Sequence, residues 1–230
     1  MMEKSQNAVE GGKSKKQENK EKGMIAEDLF LEFLNGQKIP FIQVDQTKET
    51  FSEELHEKQA HRPDFIAHTK NGVFYIDVKY RERKPFGAEN EKRFRLDQFQ
   101  IYSLFNFQNE LHSAVWIAFT DDLNTPNFSY APISEIYKYL IKIYDEINRK
   151  CSKEIKEKFE ECLIHIPNAL LYDHFSFENG FYKEPELNFF EVEAAYHIEK
   201  AKEIKNPRAV KWSRIISHKK IIIYTIGGIL

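Results

Sequence analysis

Two carboxylates and an ammonium stand near the open end of one candidate hairpin. Residues 61–80 hold two apolar runs joined by Lys70, Asn71 and Gly72. Asn-Gly between strand-like runs signals a two-residue turn, because a type I′ turn needs positive φ at both central residues. Pro63 fits the mouth of the first strand, where a missing N–H costs least. With the turn at Asn71 and Gly72, Lys70 pairs with Val73, and Phe65, Ala67 and Thr69 fall opposite Val78, Ile76 and Phe74. That face is apolar and suits packing on a helix. The other face pairs Ile66 with Asp77, His68 with Tyr75 and Asp64 with Lys79. Strand side chains alternate with period 2, so Asp64, Asp77 and Lys79 share a face. A one-residue slip would send Asp64 to the opposite face.

Two close carboxylates repel, and a divalent cation relieves the repulsion. Hard oxygen ligands suit Mg²⁺ or Mn²⁺, which keep several waters and bind phosphate oxygens. Such a cation makes water a better nucleophile and offsets charge on a phosphate in the transition state. An adjacent lysine orients that water or neutralises the developing charge. The plain alternative is that Asp-x-Lys on a strand face is a solvated ion pair, since short motifs recur by chance.

The order Pro-Asp, then Asp-x-Lys, is carried here by Pro63 with Asp64 and by Asp77, Val78 and Lys79. It resembles the signature of the PD-(D/E)xK superfamily, the restriction-endonuclease-like nucleases. The resemblance implies that Asp64 and Asp77 hold Mg²⁺, with Mn²⁺ able to substitute, together with the Val78 carbonyl. It implies that Lys79 serves the attacking water. The superfamily often opens with a helix whose glutamate reaches the metal site, and Glu27 in Gly-x-x-x-Glu matches that placement. Gln98 and Tyr102, in a Gln-x-x-x-Tyr after Asp-x-Lys, resemble the pattern of the RecB-like exonuclease branch. There the glutamine sits beside the metal and the tyrosine contacts the strand. The iron–sulfur cysteines usual in that branch have no counterpart in this sequence.

A chain of 230 residues can bury a substantial core, and 14% aromatic residues argue for a packed body. The formal net charge of −2 does not advertise nucleic acid, so any such site must come from local clustering. One cluster follows the hairpin. Lys79, Arg81, Arg83, Lys84, Lys92, Arg93 and Arg95 outnumber Glu82, Glu89 and Glu91. Arg81, Arg83, Lys84, Arg93 and Arg95 are candidate phosphate contacts, and the resemblance adds Tyr102 as a contact to the nucleic-acid strand. Pro85, Phe86 and Gly87 read as a mobile loop in which Phe86 could stack on a base. Cys151 and Cys162 form no disulfide framework and no zinc set, which points to a reducing cytoplasm. No apolar run is long enough to span a bilayer, so no membrane partner is expected. The expected partner is nucleic acid, DNA first. A homodimer is a further expectation, because symmetric dimers often cut both strands of a duplex.

Around the hairpin, residues 1–22 read as a disordered polar tail. Residues 23–34 read as an amphipathic helix with Ile25, Leu29, Phe33, Phe30 and Leu34 as its stripe, Glu27 off it, and an end near Asn35 and Gly36. A strand over 39–45 and a short helix over 48–58 follow. Glu53 and Glu54 suit a solvated face, His56 and His61 lie at no useful metal spacing, and His68 suits a cleft wall. Residues 96–105 read as a helix and 114–120 as a buried strand. The order helix, strand, hairpin, helix, strand matches the core of the resembled superfamily, so residues 23–130 are assigned to it. Residues 131–207 form a mainly helical extension packed on that core. It includes an amphipathic helix over 134–147, with Ile136, Tyr137, Leu140, Ile141 and Tyr144 on one side. A helix from Ser152 carries Phe159, and another spans 191–204. His165, His174 and His197 are widely spaced and suit core or surface roles. Residues 208–230 are a basic then apolar tail, fit for an added strand, a dimer contact or a sticky end. The expected fold is α/β and restriction-endonuclease-like: a central mixed sheet with helices on both faces. The expected function is metal-dependent hydrolysis of phosphodiester bonds. Its rivals are a binding protein of the same fold without hydrolysis, and an interaction protein whose hairpin charges are structural.

Overall fold

A computed structural model of the chain describes residues 14–47, 50–87, 90–172, 175–176, 180–181 and 190–204. Helix α1 (Lys15–Gly36) leads to strand β1 (Phe41–Gln43), the short helix α2 (Glu53–Glu57) and the hairpin of β2 (Phe65–Thr69) and β3 (Gly72–Tyr80). A small ribbon of β4 (Lys84–Phe86) and β5 (Glu91–Arg93) and the two-residue β6 (Arg95–Leu96) precede α3 (Gln98–Leu111). Then come β7 (Val115–Thr120), β8 (Ser129–Pro132), α4 (Ile133–Lys150), α5 (Lys153–Phe159) and β9 (Ile164–His165). A 3₁₀ turn (Asn168–Leu170), the pair β10 (Phe175–Ser176) and β11 (Gly180–Phe181), and α6 (Phe190–Glu203) complete the described chain.

Among the described residues five strands form a central sheet in the order β1-β2-β3-β7-β8. Strands β3 and β7 run parallel and their neighbours antiparallel, so the sheet is mixed. The parallel step needs a long crossover, which the ribbon and α3 provide. All of β7 is buried, as a strand covered on both faces must be. Helix α1 lies on one face, where Ala26, Phe30 and Leu34 meet Phe65, Ile76, Val78 and Ala118. The Phe30 ring lies 5.2 Å from Phe65 and 5.0 Å from Phe128. Burying such a ring contributes about 1.5–3 kcal/mol. Helices α3 and α4 cover the other face, over Val115, Ile117, Phe119 and Ala131. This is the expected α/β architecture with helices on both faces.

Several expectations are corrected. The hairpin register is two residues away from the expected one: Phe65 pairs with Ile76, Ala67 with Phe74 and Thr69 with Gly72. Lys70 and Asn71 form the turn, and Gly72 alone takes a positive φ, +134°. Thr69 Oγ1 accepts from the Asn71 N–H and donates to the Gly72 carbonyl, both at 3.1 Å, which favours this closure. A two-residue shift keeps the parity, so each side chain stays on its expected face.

Helix α1 begins at Lys15 rather than residue 23, so part of the expected disordered tail is helical. Ser14 caps it by accepting from the Gln17 N–H at 3.3 Å. The Lys/Glu/Gln run suits a helix once the packed portion has nucleated it. The buried line of α1 is Ala26, Phe30 and Leu34, while Ile25 is 43% exposed. Phe86 sits not in a mobile loop but in β4, 5% exposed, under the Arg93 guanidinium at 3.8 Å and beside Tyr196. Helix α2 is shorter than the expected 48–58. The expected boundary at 130/131 falls inside β8, and α4 shares the core of α3 and β7. Residues 1–13, His174 and the tail 208–230 lie outside the described residues. Among the described residues no helix is long and apolar enough to cross a membrane.

Candidate active site

The site forms where β2 begins and β3 continues past it. Tyr75 directs its N–H to the Ala114 carbonyl, toward β7. Alternation then turns Ile76 and Val78 toward β2, and the Asp64 N–H donates to the Ile76 carbonyl at 3.0 Å. One position further the strand backbone is replaced by a side chain: Asp64 Oδ2 accepts from the Val78 N–H at 2.7 Å. In a strand the carbonyl of a residue lies on the same edge as its N–H, which puts the Val78 carbonyl on the Asp64 side. Asp77 and Lys79 project from β3 on the face covered by α3, with Ile117 and Phe119 as their β7 partners.

Asp77 is 0% exposed. Lys79 Nζ lies 2.6 Å from its Oδ2 and His61 Nε2 3.5 Å from its Oδ1, neither aligned as a hydrogen bond. Burial alone would push the Asp77 carboxyl up, but Lys79 and then His61 outweigh it and hold it below the usual range. Asp64 is buried too, and burial followed by repulsion from Asp77 pushes it up to about 7. Lys79 loses solvation, yet the two carboxylates outweigh that loss and raise its ammonium above the ordinary value. Asp77 and Lys79 thus retain charge inside the protein because each faces the opposite sign, while Asp64 is partly discharged.

Glu27 reaches this group from α1, on the other sheet face. Burial raises its carboxyl, Lys79 opposes and Asp77 adds to the rise, so it lies within electrostatic reach of both. Glu27 and Asp64 also line a cleft of about 350 Å³ with Gln43, Val44, Asp45 and Gln46. Arg81 lies within electrostatic reach of Asp77. Its guanidinium donates to the Tyr80 carbonyl at 2.8 Å and to Gln100 Oε1 at 3.2 Å, and it feels Asp77 and then Asp97.

The remaining expected residues are scattered. Gln98 is buried with its amide on the Phe159 and Cys162 carbonyls, at 2.5 and 3.2 Å, so it braces the C-terminal region. Tyr102 is 9% exposed and packs edge-on to Tyr137 at 5.7 Å. The α3 side chain that meets Arg81 is Gln100. Arg93 is buried with its guanidinium over Phe86 and pairs with Glu91 at 2.5 Å. Arg83 is drawn to Ser129 at 3.2 Å and Asp121 at 3.5 Å, with its guanidinium over Phe94. Lys84 pairs with Glu82 at 2.5 Å. Arg95 is half-buried within electrostatic reach of Arg81 and His165. His68 is exposed beside the turn, at the end of the hairpin away from Asp64. Two residues at the site were missed. His61 touches Asp77, and Gln46 directs its amide to the Pro63 carbonyl at 3.2 Å and Asp64 Oδ1 at 3.5 Å. The one sequence signal for His61 was its position three residues before Asp64.

The donor set fits a hard divalent cation. Both Asp77 oxygens lack an aligned hydrogen bond, Asp64 stands beside them, and the Val78 carbonyl faces the same side. Among the described residues no three His, Cys, Asp or Glu side chains form a ready metal cage. A cation that keeps several waters, as Mg²⁺ does, needs no such cage.

No family model matches the chain, and no curated protein matches it. Among solved structures, the chain is similar to Archaeoglobus fulgidus Hjc, a Holliday junction resolvase from an archaeal hyperthermophile. The two are 18% identical with a TM-score of 0.34, over 49% of this chain and 78% of that one.

Proposed function

We propose that this chain is a metal-dependent nuclease that hydrolyses phosphodiester bonds in nucleic acid, with DNA as the first substrate to test. The observation that carries it is the buried Asp77 carboxylate, packed against Lys79 beside Asp64 at the edge of a polar cleft. Two buried carboxylates are costly to hold, and that cost is common where a site must receive a cation. The order of Pro63, Asp64, Asp77 and Lys79 resembles the PD-(D/E)xK signature, which supports the same reading.

Asp64, Asp77 and the Val78 carbonyl would hold Mg²⁺ or Mn²⁺, with Glu27 completing the acidic side. When bound, the cation supplies Lewis acidity toward a phosphate oxygen and a lowered pKa for water. Lys79 orients the attacking water and offsets charge that builds on the phosphate. Arg81, braced by Tyr80 and Gln100, binds a phosphate beside the reacting one, and Arg95 and Lys84 follow along the chain.

The test is cleavage of labelled linear DNA, circular DNA and RNA in Mg²⁺, Mn²⁺ or EDTA, with Asp77→Ala and Lys79→Ala prepared identically. Metal-dependent cleavage by the native chain, lost in both variants, supports the proposal. Binding without cleavage under every condition moves the assignment to a binding protein. Cleavage that survives both substitutions sinks the site.

A further inference from the structure

His61 stands on a fixed stretch of backbone. Its N–H donates to the Ser103 carbonyl of α3 at 3.0 Å, and the preceding Ala60 N–H closes on Leu55 at 2.9 Å. Arg62 ties back to the Thr47 carbonyl at 2.7 Å with its guanidinium over Phe51, and Pro63 is buried. The imidazole itself is not packed away: its side chain is 47% exposed while the carboxylate it touches is 0% exposed. A histidine kept only for packing would not combine an anchored backbone, an open ring and contact with a buried charge.

Asp77 shows what that contact can do. The Cβ–Cγ torsion of aspartate is broad, so a carboxylate held at one oxygen can still turn. Lys79 Nζ lies 2.6 Å from Oδ2, and His61 Nε2 lies 3.5 Å from the other oxygen, Oδ1. Attraction from Lys79 at one oxygen and His61 at the other favours one orientation of the group.

We infer that His61 is a positioning residue for Asp77, keeping its carboxylate in one orientation toward a divalent cation. This rests on the reading of Asp64 and Asp77 as metal ligands. Groups that orient a ligating carboxylate typically change metal affinity about 10–100-fold when removed.

The experiment is calorimetric titration of the full chain with Mn²⁺ at one fixed pH, for the native protein, His61→Ala and His61→Gln. Circular dichroism checks the fold of each. Glutamine carries an amide N–H about as far from the backbone as imidazole Nε2, so it replaces the contact without the ring. The expected result is Mn²⁺ binding about ten-fold weaker in His61→Ala and largely restored in His61→Gln. Turnover of nucleic acid should follow the same order with KM unchanged. Equal Mn²⁺ affinity in the native and alanine proteins would overturn the positioning role and leave the metal site standing. A folded His61→Gln that binds as weakly as His61→Ala would overturn it too. A native protein that binds no Mn²⁺ would bring down the metal site, and the positioning role with it.

Discussion

Among the described residues, two clusters of buried titratable side chains are built in opposite ways, one around Asp77 and one around His197. Asp77 and Lys79 keep their charges: Lys79 faces one Asp77 oxygen and His61 the other, and Asp64 and Glu27 stand nearby beside an open cleft. Around His197 the charges are removed. His197 is 0% exposed with neither ring nitrogen hydrogen-bonded among the described residues, and His165 lies 6.0 Å away between ring centroids. Phe86, Phe159 and Tyr196 fill the surroundings. Burial, then repulsion from His165 and Arg93, pushes His197 down to about 3. Burial, then Arg95, Arg93 and Lys200, pushes His165 down to about 4. Both imidazoles are neutral at neutral pH. Burial therefore discharges a group unless a countercharge is built beside it.

The sharpest way to break this contrast is to remove charge where it is kept. Asp77→Asn preserves shape and deletes the negative charge. Cleavage should fall by about 10³-fold, a barrier increase of about 4 kcal/mol, in single-turnover assays on folded protein. Next, Lys79→Met would leave Asp77 and Asp64 facing each other without their ammonium. Urea denaturation should show a loss of about 3–5 kcal/mol, the usual result of stripping one partner from a buried pair. Adding Asp64→Asn should return much of that stability while cleavage stays absent. A Lys79→Met protein as stable as the native one would mean the pair is solvated and the contrast false.

The histidine cluster should respond to acid. Its folded-state pKa values lie below the unfolded value of about 6.5, so the unfolded chain binds more protons as pH falls. The stability it contributes is complete above about 6.5 and is lost progressively toward 4 and 3. At pH 5, His197 alone should cost about 2 kcal/mol, from 1.5 pH units at about 1.36 kcal/mol each. Denaturant titrations across that pH range measure it. The smallest effect is expected from His197→Phe, which keeps ring volume and removes the titration. Its stability at neutral pH should change by less than about 1.5 kcal/mol. The acid slope should flatten, and metal-dependent cleavage should be unaffected. An unchanged acid slope would place the sensitivity elsewhere.

The two clusters also differ in how far they were legible before folding. Asp64, Asp77 and Lys79 sit on one short hairpin, where period-2 alternation and a nearby turn constrain the geometry. The turn fell one position earlier than expected, which moved the pairing by two residues and left the faces intact. The α4 stripe through Ile136, Tyr137, Leu140 and Tyr144 was readable for a similar reason, because helical period selects a face. Gln98 and Tyr102 share a helix face as their spacing required, but that face turned toward α4 and α5. Spacing says which residues travel together on a helix, not which neighbour the helix presents them to.

What the sequence by itself determined is therefore local. It selected the hairpin, the parity that gathers two carboxylates and a lysine, the buried parallel strand and the amphipathic α4. Tertiary structure decided the rest. It brought Glu27 around from the opposite sheet face, set His61 against Asp77 by tying it to Ser103, and buried Phe86 and Arg93 that had looked free for nucleic acid. It also joined His165 to His197 through the docking of β9 and α6. Backbone periodicity acts over a few residues, whereas these contacts depend on how whole elements pack, and no short window of sequence encodes that.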